Sequence, residues 1–201
     1  MINSTFKKII NDTQQKILKL TKKNGWLWFY KMHQKEVINA SKKLLKLYPK
    51  ANKKIVLISS WLHDISKYYA KNTKDVPAVE KNHHIDSAKI AERFLRSYKL
   101  NEKEINQIRN CILRHRNKPP YRARTLEEKM MTVADTLSHF TSIFYLTYFK
   151  FYPEHSIEEM VKNNLAKLKR DWRDIQLLPK AKKLVEEEYK ILKKLLENYQ
   201  K

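Results

Sequence analysis

Apolar residues recur along this chain at steps of three and four, and no stretch alternates strictly between apolar and polar, so the pattern predicts helices throughout. Phe6, Ile9, Ile10, Ile17 and Leu20 share one face with lysines opposite, which predicts a basic amphipathic helix over 5–22 that Gly25 can stop. A second helix over 27–47 carries Phe29, His33, Val37, Ala40, Leu44 and Leu47, a register that sets His33 on the buried stripe. Residues 53–69 are apolar nearly all round and predict the central helix. A loop over 70–82 ends near His83 and His84, and helices follow at 84–98 and 102–116, the latter with Ile105, Ile108, Ile112 and His115. A basic loop, 116–124, leads to Thr125, which with Glu128 three positions on is a capping-box signature for a helix running to about Lys150. Two more helices are expected over 156–170 and 180–199.

Composition agrees. The chain has one glycine and six prolines, and Pro49, Pro77, Pro119, Pro120, Pro153 and Pro179 all fall between the helical periodicities. The expected fold is all-α, a compact multi-helix bundle, and 201 residues without repeats or low-complexity linkers are read as a single domain, 1–201. Cys111 is the only cysteine, which excludes an intrachain disulfide and a Cys-based zinc site. The N-terminus lacks the apolar core of a signal peptide. The greasiest stretch, Phe140 to Tyr152, is interrupted by Lys150 and falls short of the roughly 20 residues a membrane span needs. These features predict a soluble protein of a reducing, cytoplasmic setting. Lysines and arginines number 43 against 21 acids, a formal charge of +22. Such a field attracts phosphates, nucleic acid or an anionic membrane; solvated polar helix faces account for it equally well, so a nucleic-acid partner stays open.

The chemistry concentrates where the apolar run Ile55 to Leu62 ends in the doublet His63–Asp64. His33, His83 or His84, His115 and Asp135 sit on other helices in buried-leaning positions. Any one of them alone reads as a satisfied core residue. Burying an unpaired neutral polar group costs about 2–7 kcal/mol, and a cation shared among all of them would offset that cost. Imidazole and carboxylate donors suit Mn, Fe, Co, Ni or Zn better than Ca.

The order His33, His63–Asp64, Asp135 resembles the signature of the HD superfamily of metal-dependent phosphohydrolases. Trp61-Leu-His-Asp-Ile-Ser-Lys67 is similar to the family's Leu-His-Asp-Ile-Gly-Lys element, with Ser66 in place of the usual Gly. His83-His-Ile-Asp-Ser-Ala88, the span Ile108 to His115, and the span Leu126 to Asp135 resemble three further elements. The resemblance covers about 27–145 and leaves 1–24 and 150–201 as helical extensions with no role beyond packing. It implies that His33, His63, Asp64 and Asp135 bind one metal, and that Asp64, His83 and His115 bind a second, with Asp64 bridging. Mn or Fe, as one or two ions, is the implied cofactor. The register of the His83 element selects His83 as the ligand and leaves His84 beside it.

Asp64 and Lys67 are the candidate catalytic residues: Lys67, in the same element, can contact a substrate phosphate or remain a solvated lysine. Arg114, Arg116, Lys118, Arg122 and Arg124 flank His115 and form either a polyphosphate-gripping rim or a plain basic loop. His139, four after Asp135, either orients that carboxylate or caps a core cavity; His155 is read as uninvolved, and the aromatic run 140–152 as core. The expected function is hydrolysis of a phosphorylated small molecule, a nucleotide or nucleotide derivative, by metal-activated water. A nuclease or phosphodiesterase acting on nucleic acid is one alternative, and a non-catalytic nucleotide-binding regulator another. The basic terminal helices are available to a partner or a homo-oligomer in each case.

Overall fold

The computed structural model describes residues 4–71, 76–152 and 154–199; Pro153 therefore lies outside the described residues, as do 72–75 of the expected loop. Among the described residues the protein is all-α, with a lone bridge between Lys118 and Tyr121 and no strand. Helix α1 (Ser4–Asn24) buries Phe6, Ile9, Thr13, Ile17 and Thr21, and ends at Gly25, whose φ of 78° suits a residue without Cβ. Thr13 joins that stripe because its Oγ1 donates to the Ile9 carbonyl one turn back.

Helix α2 occupies 27–47, as its periodicity predicts, but in three registers: Leu27–Phe29 is α-helical, Tyr30–Gln34 forms a π-helical turn, and Lys35–Leu47 resumes the α-helix. His33 sits inside the π turn, a distortion that recurs at functional sites. Helix α3 (Lys53–Leu62) is the central element, buried on nearly every side, with Asn52 capping it through bonds from Lys54 N and Ile55 N. Burying Ile55, Ile58 and Leu62 completely stabilises the fold by about 1.5–3 kcal/mol each. The α-helix stops seven residues earlier than expected. The chain then passes through turns at 63–66 and a 3-10 turn, Lys67–Tyr69, so the doublet lies at the helix's C-terminal end.

Helix α4 (Val76–Leu95) begins earlier than its pattern suggested, with Pro77 in the first turn, where a missing N–H costs nothing. Helix α5 (Glu102–Arg114) has a capping box from Asn101 and Glu104, and α6 (Leu126–Phe140) has the expected one from Thr125 and Glu128. The long helix expected to reach Lys150 breaks at 141–143. There Thr141 and Ser142 donate their hydroxyls to the carbonyls of Leu137 and Ser138, competing with the main-chain ladder. Helix α7 (Phe144–Phe151) follows, then α8 (Ile157–Ile175), a 3-10 turn (Pro179–Leu184) and α9 (Glu186–Tyr199). One apolar cluster draws on elements from Phe6 in α1 to Leu196 in α9. No helix among the described residues is long and apolar enough to cross a membrane.

Candidate metal centre

The six residues singled out in the sequence meet at the inner ends of their helices. His33 Nε2 lies 3.2 Å from His63 Nε2, 3.4 Å from Asp64 Oδ2 and 3.1 Å from Asp135 Oδ1. His63 Nε2 is 3.5 Å from Asp64 Oδ2 and 3.6 Å from Asp135 Oδ1. On the other side, His83 Nε2 lies 3.1 Å from His115 Nε2, and these nitrogens are 3.4 and 4.0 Å from Asp64 Oδ1. Asp64 thus turns one oxygen to the pair His33–His63 and the other to the pair His83–His115. All four imidazoles are buried.

Hydrogen bonds on the far side of each ring fix where its proton sits. Nδ1–H of His63, His83 and His115 donates to the carbonyls of Ser60, Glu80 and Ile112 at 2.9, 2.8 and 2.7 Å. Each accepting carbonyl lies three residues back on the same helix or turn, a local geometry that the helix ends supply. His33 Nδ1 lies 2.9 Å from Ser138 Oγ, whose own proton goes to the Asp135 carbonyl at 2.6 Å, so Ser138 can only accept from His33. In the neutral imidazoles, therefore, every Nε2 presents a lone pair. Two lone-pair nitrogens 3.1 or 3.2 Å apart repel unless something positive lies between them or beside them. Among the described residues, the buried Asp64 Oδ1 also has no hydrogen-bond partner. Three groups of donors (His33, His63, Asp64; Asp64, His83, His115; His33, Asp135, His139) each fall within 4.8 Å of one another. The donor set fits a divalent cation, and Asp64 is placed to bridge two.

The electrostatics point the same way. Burial opposes ionisation of Asp64, but Lys67, His63 and His83 hold its carboxyl well below the usual range. Burial, with help from His83 and His63, pushes His115 down to about 3. At His33 burial lowers the pKa, and Asp135 and Asp64 more than reverse it.

The structure also places the remaining candidates. His83 joins the cluster, while His84 stands beside it with its ring edge-on to Tyr121 and its pKa lowered to about 4 by burial, His83 and Arg116. Lys67 donates to Asp64 Oδ2 at 3.0 Å and Glu80 Oε2 at 2.9 Å, so two of its three ammonium protons are engaged. Ser66, in place of the family's Gly, donates its hydroxyl to the His83 carbonyl at 3.0 Å and ties α4 to the doublet. Arg116, Lys118 and Arg122 line a cavity of about 560 Å3 that opens onto the cluster; Arg114 instead turns to Glu128, 3.3 Å away. His155 stays outside, 3.3 Å from Glu159.

The sequence reading missed the contribution of α8. His139 Nε2 is 3.8 Å from Asp135 Oδ1, too long for a hydrogen bond. Its Nδ1 instead lies 3.0 Å from Asp171 Oδ2 and 3.3 Å from Lys167 Nζ; the nearer group is a carboxylate that can only accept, so the ring proton belongs on Nδ1. Asp171 also accepts from Tyr145 Oη at 2.8 Å and from Lys167 Nζ at 2.7 Å. Despite burial, Lys167 and His139 hold the Asp171 carboxyl down at about 2. The extension 150–201 therefore does more than pack. A signal was present: Val161, Asn164, Leu165, Leu168, Asp171 and Ile175 form one buried stripe at helical spacing, and a carboxylate on such a stripe needs partners.

A family model for the HD domain matches residues 30–139. Neither the curated proteins nor the solved structures contain a match to the chain. The match spans more than half of the 201 residues and includes all six clustered side chains. With that match and this geometry, the chain belongs to the HD domain family, a superfamily of metal-dependent phosphohydrolases.

Proposed function

We propose that the protein hydrolyses a phosphorylated small molecule of the nucleotide class, with His33, His63, Asp64, His83, His115 and Asp135 holding one or two divalent cations, Mn or Fe first among them. The observation that carries this reading is the convergence of four imidazole lone pairs on the two oxygens of Asp64. When bound, such a cation polarises phosphoryl oxygens and makes water nucleophilic near neutral pH. The protein's own groups do the rest. Lys67 keeps one donor for a phosphoryl oxygen while its pairing with Asp64 and Glu80 fixes its position. Asp171 sets the tautomer of His139, leaving Nε2 as an acceptor on the cavity wall beside Asp135, where it can orient an incoming water. Burial and Lys167 keep His139 below the ordinary imidazole pKa, so that acceptor is unprotonated at neutral pH. The nucleotide assignment draws on the aromatic wall of the same cavity, where the Trp28 and Phe151 rings stack at 4.5 Å. A flat base would lie against that wall.

The test is phosphate release from a nucleotide panel by Mn- or Fe-loaded protein. Turnover that disappears in Asp64→Ala is the expected result. Undiminished activity in strong chelator, or in Asp64→Ala, would reject the proposal.

A further inference from the structure

The cavity mouth carries several cations, of which Lys118 and Arg170 have no ion pair among the described residues, while Lys67 and Lys167 deeper in the cavity are paired with carboxylates. The loop after α5 bends at Asn117, whose φ of 48° is a left-handed conformation that Asn tolerates. Asn117 Oδ1 accepts from Ala123 N at 3.1 Å within the loop, and its Nδ2 donates to Asp174 Oδ1 on α8 at 2.8 Å. Arg116 Nη1 donates to the Glu80 and Lys81 carbonyls of α4 at 2.9 and 3.0 Å. The loop is thus strapped to helices on both sides, and Lys118 is carried to the rim of the cavity that Asp64 and Asp135 line. Arg170 of α8 reaches the same rim. Among the described residues, neither Lys118 nor Arg170 has an acidic side chain within 4.0 Å, whereas Arg96 and Lys54 on the outer surface both do. The Lys118 ammonium is pushed below its ordinary pKa by burial and by Arg116, Arg170 and Lys167, with Glu80 opposing in part. Folding has placed like charges together around a concave space, with Arg116 and Arg170 partly buried and Lys118 exposed at the rim.

We infer that this rim is a subsite for the outer phosphates of a phosphate chain, gripped by Arg116, Lys118 and Arg170 while the reacting phosphate lies on the His/Asp cluster. The substrate class is then a compound with two or more linked phosphates, such as a nucleoside di- or triphosphate, rather than a monophosphate. The inference rests on the phosphohydrolase reading for the identity of the reacting end, but the subsite itself needs neither metal nor turnover. A guanidinium binds phosphate oxygens in pairs, and a chain spanning three cations releases the repulsion among them.

The experiment is calorimetric titration of inorganic orthophosphate, pyrophosphate and tripolyphosphate into protein stripped of metal and desalted. Three proteins are compared: the wild type, Lys118→Gln/Arg170→Gln, and Lys22→Gln/Lys23→Gln, which loses the same charge from exposed positions of α1. Tripolyphosphate should bind the wild type at least about tenfold more tightly than orthophosphate, and the rim double variant should lose about tenfold, as expected for one or two charge-assisted bonds. The α1 variant should change by less than about twofold. Equal affinity for the three anions, or equal losses in the two double variants, would overturn the subsite and leave only a diffuse positive field. Because no step of this test involves hydrolysis, failure to find turnover elsewhere does not bear on it. The single variants Lys118→Gln and Arg170→Gln, checked by circular dichroism, guard against a folding defect in the double.

Discussion

Replacing Asp171 by Asn preserves the shape of a side chain that joins α8 to the His/Asp cluster, removes its charge and turns one acceptor oxygen into an amide donor. Asp171 is 4% exposed, Lys167 retains 18% of its side-chain exposure, and the two touch at 2.7 Å. The descent of the Asp171 pKa from 3.8 to about 2 corresponds to about 2 kcal/mol in favour of the charged form. Stranding the partner of a buried pair costs about 3–5 kcal/mol, a figure that the partial solvation of Lys167 reduces. A loss of about 2–3 kcal/mol is therefore expected, which for a chain of this length lowers Tm by about 4–12 °C. Thermal unfolding followed by circular dichroism at pH 7.5 measures it. Adding Lys167→Met removes the stranded ammonium, so the double variant should melt above the Asp171→Asn single variant. The pH dependence has a definite sign. A carboxyl whose folded pKa is lowered contributes fully above its unfolded value of 3.8 and loses that contribution as pH falls toward 2, so the gap between wild type and variant should close over that range. An Asp171→Asn melt within about 1 °C of wild type at pH 7.5, or strictly additive effects in the double variant, would refute the coupling of α8 to the site.

Two further changes probe how the ligands are held. Ser138→Ala removes the acceptor that fixes the His33 ring, and should weaken metal binding about 10–100-fold in a competition titration while leaving helix content unchanged. Ser66→Ala deletes the bond to the His83 carbonyl and should cost about 1 kcal/mol, a drop of about 2–4 °C in Tm, without abolishing metal uptake.

What the sequence disclosed and what it withheld divide along physical lines. His33 was legible because steps of three and four set it on a buried face, and the doublet because an apolar run ends in two polar residues that solvent cannot reach. The choice of His83 over His84 followed from register within a motif, and His83 is the one whose Nε2 lies beside His115 and Asp64. The π turn around His33 carries no such mark. Neither Pro nor Gly signals it, although it coincides with a run in which Phe29, Tyr30, His33 and Gln34 are all buried. The break after Phe140 was readable in principle, since Ser138, Thr141 and Ser142 concentrate hydroxyls that can bond back to the helix, but an apolar run continuing through Phe144 and Tyr145 outweighed that signal. Asp171 went unread for a different reason: a Lys and an Asp four apart on a helix usually form a solvated surface pair, and only its place on the buried stripe distinguishes this one.

The two halves of the cluster are unequal in what already balances them. On the His33–His63 side, Asp64 Oδ2 meets Lys67 at 3.0 Å, and Asp135 adds a second carboxylate that, with Asp64, raises the His33 pKa against the effect of burial. On the other side, two imidazoles whose pKa values burial has lowered face Asp64 Oδ1, which accepts no hydrogen bond among the described residues. The first half therefore offers more negative charge to a cation than the second does. The second offers a single carboxylate oxygen and two nitrogens whose lone pairs are already bare. Because Asp64 belongs to both, charge entering one half alters the field in the other through a single carboxylate, and the Lys67–Glu80 pair that leans on Asp64 from the cavity side couples both halves to whatever occupies the mouth.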